Sequence, residues 1–147
     1  MIEPMPTTAI DPRTARGLFI EHVPETATKP AYVRLGFPNT SYKLDLIPEG
    51  EVVGTPGKRI EGTVHAQAAR IDSIGGGGRF VEPVFGTPRR VQGRVIAVNA
   101  ETNEVIVSAG VPFHLHPTDP RQKATDFAEG QMVTCGVKGG SVFRQAK

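Results

Sequence analysis

The chain has no tryptophan, a single cysteine and no long apolar run, and each scarcity removes a class of answer. Cys135 alone cannot close an intramolecular disulfide, so the cross-linked scaffolds of small secreted domains are excluded and a cytoplasmic setting is expected. No stretch approaches the roughly 20 apolar residues that span a bilayer. The opening MIEPMPTTAIDPRTARG lacks the basic start, apolar core and cleavage pattern of an export signal, so no membrane partner is expected. Long helices are excluded for another reason: 17 glycines and 13 prolines are spread over 147 residues. Proline removes a backbone donor and clashes with the preceding turn. Short strands tolerate that spacing.

Charge is modest overall and uneven in detail. The formal net charge of +2 does not by itself imply a polyanionic partner. Residues 58–94 nevertheless carry 7 basic and 3 acidic side chains, against 5 and 7 in residues 1–57 and 5 and 5 in residues 95–147.

What is present is alternation. Residues 1–16, with Pro4, Pro6 and Pro12 and few large apolar groups, are expected to be an extended or disordered N-terminal arm, and residues 17–147 a single β domain. LFIEHV (18–23), AYVRLGF (31–37) and YKLDLI (42–47) each show the period of two that turns one face inward. Pro38-Asn39-Thr40-Ser41 supplies a turn that makes the last two a hairpin. RVIAVNAETNEVIVSAG (94–110) reads as a second hairpin about the polar loop Asn99–Asn103.

Between these lies an internal duplication. GTPGKRIEGTVHA (54–66) and GTPRRVQGRVIA (86–97) are the same phrase once a gap at Gly57 is allowed. Lys58-Arg59 answers Arg89-Arg90, and Gly62 answers Gly93. A repeat of about 31 residues in only two copies suits equivalent strands of one closed sheet better than an open solenoid. An interior strand glycine suits a bend or a close backbone approach.

From about residue 89 onward the order of long strand, hairpin, third strand, polar crossing PTDPRQKATDFAEG and final strands MVTCGVK and SVFR resembles an oligonucleotide/oligosaccharide-binding (OB) barrel. The resemblance implies an all-β fold, a small closed or partly open β-barrel, with at most one helical turn in the crossing.

Four candidate sites follow from residue types. The run SIGGGGRF (73–80) lacks the Lys and Ser/Thr of a phosphate-binding loop and precedes a strand, so it is read as a hairpin tip between RIDSI and RFVEPVF. His114 and His116 in VPFHLHP share one face of a strand, the spacing that lets two imidazoles hold a metal, with Asp119, His65 or His22 as third ligand. Cys135, flanked by valines on its own face, reads as a small buried hydrophobe. Lys58, Arg59, Arg79, Arg89, Arg90 and Arg94 make a basic segment able to neutralise phosphates.

No nucleophile with a matched base and no cofactor fingerprint is present, so a non-enzymatic interaction or assembly module with no cofactor is expected, contacting a protein partner or a second copy of the chain. Single-stranded nucleic-acid binding through residues 58–94 is the alternative, and a small metal-binding barrel the second alternative.

Overall fold

A computed structural model of the protein describes residues 11–146, which form one mixed sheet of eleven strands. The strands are β1 (Ala15–Val23), β2 (Tyr32–Gly36), β3 (Lys43–Pro48), β4 (Arg59–Ile74), β5 (Phe80–Glu82), β6 (Phe85–Gly86), β7 (Arg90–Asn99), β8 (Glu104–Ser108), β9 (Pro112–Pro117), β10 (Met132–Val137) and β11 (Val142–Gln145). The one helical element among the described residues is a 3-10 turn at Ala124–Asp126, inside the crossing segment. No helix among the described residues is long and apolar enough to cross a membrane. The fold is therefore all-β, as the alternating segments require.

The pairings form two circuits that share β4. In the first, β1, β2 and β3 run antiparallel in succession, β3 pairs in parallel with β11, β11 pairs antiparallel with the first half of β4, and β4 returns to β1. In the second, β7, β8 and β9 run antiparallel in succession, and β9 pairs in parallel with the middle of β4. The second half of β4 then pairs with β10, and β10 with β7.

The side chains of β4 explain how one strand serves both. Ile60, Gly62, Val64, Ala66 and Ala68 alternate inward. The next buried apolar residue is Ile71, because the register against β10 slips between the pairs Val137↔Ala68 and Cys135↔Ile71. One extra residue on β4 forms a bulge, and since side chains alternate with a period of two the inward parity switches there. The core includes Val33, Leu35, Leu44, Leu46, Val64, Phe113, Leu115 and Phe143, all at 1 % exposure or less. Burying each such side chain contributes about 1.5–3 kcal/mol.

The two similar phrases lead into strands of this sheet, residues 59–66 of the first lying in β4 and residues 90–97 of the second in β7. Their glycines occupy crowded positions. A Cβ on Gly62 would collide with the Arg144 carbonyl and stand 2.6 Å from Phe143 Cζ; one on Gly93 would collide with the Ser108 carbonyl and stand 2.9 Å from Val107 Cγ1.

Three expectations need adjustment. Gly75–Gly78 connect β4 to β5 without forming a hairpin tip: β10 occupies the edge of β4 at this end, and β5 pairs with β7 instead. Of the expected arm, residues 1–10 lie outside the described residues. Asp11–Thr14 make a turn closed by Thr14 N–H donating to the Asp11 carbonyl at 3.1 Å, and Ala15 and Arg16 already belong to β1. Finally, β11 does not complete the group of strands from residue 89 onward. It pairs with β3 and β4, and β4 takes the place beside β9.

Candidate metal centre

Four adjacent strands, β11, β4, β9 and β8, turn polar side chains to the face opposite the core. On β9, Phe113 and Leu115 point into the core while His114 and His116 point away from it. On β4 the same parity buries Val64 and Ala66 and leaves His65 and Gln67 on the outer side. The parallel register sets His65 beside His114 and Gln67 beside His116. β8 lies on the other side of β9, with Val105 paired to Leu115 and Ile106 to His114; Glu104 at its start shares the face of Ile106, and its carboxylate reaches toward His65 and His114.

These placements gather His65, Glu104 and His114, whose ligand atoms all lie within 4.8 Å of one another. His65 Nδ1 is 2.8 Å from Glu104 Oε2, His114 Nδ1 is 3.9 Å from Glu104 Oε1, and the two rings are 4.7 Å apart. The far nitrogens are also engaged: His114 Nε2 is 2.9 Å from the Arg13 carbonyl, and His65 Nε2 is 2.7 Å from Thr63 Oγ1. A carbonyl can only accept, so His114 Nε2 carries a proton; the Glu104 carboxylate likewise only accepts, so in the absence of an ion His65 Nδ1 donates to it. Orienting contacts of this kind fix the tautomer and ring angle of metal-bound histidines.

Burial and hydrogen bonding shift two of the three groups. Burial pushes the His65 imidazole below its ordinary value, against the pull of Glu104, so the neutral ring is favoured near neutral pH. Burial works to raise the Glu104 carboxyl, but hydrogen bonds from His65 and Thr102 hold it below the usual value, keeping it ionised. Two imidazoles and one carboxylate are a donor set for zinc with an open position, or for ferrous iron, with the ion displacing the proton that His65 Nδ1 shares with Glu104.

The cluster opens onto a cleft of about 270 Å³ bordered by Glu49, His65, Gln67, Glu104, His116 and Arg144. Arg144 on β11 pairs with Glu49 through Nε and Nη2. That pairing raises the guanidinium further and lowers the Glu49 carboxyl.

The structure sorts the remaining sequence candidates. Of the proposed third ligands, His65 is at the cluster; His22 lies on β1 opposite Val33, and Asp119 is held by Arg121, which lowers its carboxyl to about 2. His116 lines the cleft but stands outside the three-residue cluster. Glu104 was not legible in the sequence: it opens a hairpin strand with nothing local to mark it, and only the β8–β9 register brings it to the histidines. Cys135 is 2 % exposed, and burial pushes its thiol up to about 12.

The basic residues divide into separate places. Lys58 directly precedes β4 and Arg59 begins it beside β1, paired to Leu18. Arg89 and Arg90 begin β7 beside β10 and β5, level with β4 residues about ten positions further on, roughly 30 Å of strand away. Arg79 and Arg94 share a cleft of about 410 Å³ with Gly77 and Gly78, and Arg94 Nη1 donates to the Gly130 carbonyl at 2.6 Å. No family model, curated protein or solved structure matches this chain.

Proposed function

We propose that this chain is a non-enzymatic binding module, an OB-like β-barrel in its second circuit, whose defining ligand is one divalent transition metal, zinc foremost, held by His65, Glu104 and His114. The barrel part is supported by the order of pairings: a three-strand meander, a parallel partner for its third strand, and a strand after the crossing that joins the two ends. The metal part rests on a single observation. Three ligand groups from three different strands converge within 4.8 Å while Thr63 and the Arg13 carbonyl hold the far sides of both rings. As a module of this kind the chain presents its site to a partner protein, a second copy or a small ligand. Exposed apolar groups alone argue less for that role, because Leu18, Val53, Val84 and Phe85 are ordinary for a protein surface.

Metal analysis of protein reconstituted with zinc and then desalted tests the proposal. One zinc per chain is expected, with affinity falling at least about 100-fold in Glu104→Gln and in His65→Ala, and roughly 10-fold in Thr63→Val. Retention of no stoichiometric metal would overturn it.

Arg79 and Arg94 beside two glycines favour a second reading, single-stranded nucleic-acid binding at that cleft. Affinity for a single strand at low salt, lost steeply as salt rises and weakened in a combined Arg79→Ala and Arg94→Ala variant, is its expected signature. Binding unchanged in that variant would remove it.

A further inference from the structure

The cleft above the cluster carries more than metal ligands. Antiparallel pairing sets Val142 beside His65 and Arg144 beside Thr63, so Arg144 shares the outer face with the histidines. Glu49 occupies Nε and Nη2 of its guanidinium, leaving the Nη1 donors for another acceptor. Gln67 and His116 border the same space and offer further donors. With a divalent metal in place, the formal charges are two positive from the ion, one positive from Arg144, and one negative each from Glu104 and Glu49. The balance is positive. A divalent ion held by two imidazoles and one carboxylate also retains at least one position for an outside ligand.

We propose that this cleft binds a small oxyanion, of the carboxylate or phosphate class, with one oxygen on the metal and another on Arg144. The inference rests on the metal reading above. Both chemistries offer at least two oxygens, one to ligate a divalent ion and one to accept a charge-assisted hydrogen bond from a guanidinium. The cleft, about 270 Å³, has room for a ligand of a few heavy atoms. Glu49 is the built-in competitor: its carboxylate holds Arg144 in the absence of the anion and must share the guanidinium when the anion arrives.

Cobalt(II) makes the test direct, since the visible spectrum of the bound ion changes when an anion enters its coordination sphere. Full-length protein loaded with cobalt is titrated separately with inorganic phosphate and with oxalate. A saturable spectral change with at least one of them is expected, and the tighter of the two assigns the ligand class. Arg144→Gln should weaken that anion at least tenfold while cobalt still binds, and Glu49→Gln should strengthen it severalfold. A spectrum that neither anion alters, or an Arg144→Gln protein that binds the anion as the parent does, overturns the oxyanion proposal and leaves the metal site standing. Failure of the parent protein to bind cobalt at all overturns both.

Discussion

Gly62 and Gly93 have no room for a methyl group, because a carbonyl of a neighbouring strand sits where the Cβ would go. Changing either to alanine forces backbone apart, and each substitution is expected to cost about 1–3 kcal/mol in denaturant unfolding. Gly75→Ala and Gly76→Ala are the matched controls: nothing lies within 4 Å of their Cβ positions, so changes within about 0.5 kcal/mol are expected. Cys135 supplies a second prediction at this scale. Its thiol, pushed up to about 12 by burial, stays protonated across pH 6–9, so a thiol reagent should label the native protein far more slowly than the denatured chain. Part of the candidate site was legible in the sequence. The His114-Leu115-His116 spacing announces two rings on one face by strand geometry alone, and His65 was named among candidate partners. Choosing His65 over His22 and Asp119 requires the parallel pairing of β4 with β9, which no local pattern encodes.

Among the elements, β11 is short and indispensable. Its four residues join β3 to β4, and Phe143 in its middle is 1 % exposed. Phe143→Ala should cost about 3–5 kcal/mol, measurable by urea unfolding. β2 and β3 meet across an ion pair: Arg34 Nε lies 2.8 Å from Asp45 Oδ1, with Asp45 only 6 % exposed. Arg34→Ala would leave that carboxylate buried without its partner, and a loss on the order of 2–4 kcal/mol is expected, well above what Arg16→Ala costs at its exposed pair with Glu61. Strands β1 and β2 and the first half of β7 were legible because each buries one face and alternates accordingly, whereas β3 and β8 were legible from their apolar alternation or run although Asp45 and Ile106 are buried on the second face as well. β4 was only half legible: its bulge switches the inward parity near Ala68, so the run GTVHAQAARIDSI keeps no single period. The hairpin expected at Gly75–Gly78 failed for a related reason, since local turn chemistry cannot show that β10, some sixty residues later, has taken the edge.

At the scale of the whole molecule, the sharing of β4 ties the two circuits into one unit. Val64 and Ile71, one from each half of that strand, should therefore behave alike when truncated. Val64→Ala and Ile71→Val are expected to lower the stability of the entire sheet in a single transition, with tyrosine fluorescence and far-ultraviolet circular dichroism coincident. Two separate transitions would show the circuits to be independent. Because most strand partners are distant in the chain, folding should be slow for this size, in milliseconds to seconds by stopped flow.

The shared strand also dictates where the polypeptide can be severed. A break within Gly75–Gly78 leaves β1 to β4 on the first fragment and β5 to β11 on the second, so each piece lacks strands the other owns. Neither fragment can satisfy its own backbone, and together they hold every ladder. The glycine run is thus a natural seam for a two-piece reporter that is silent when its parts are apart and regains its fold when they are brought together.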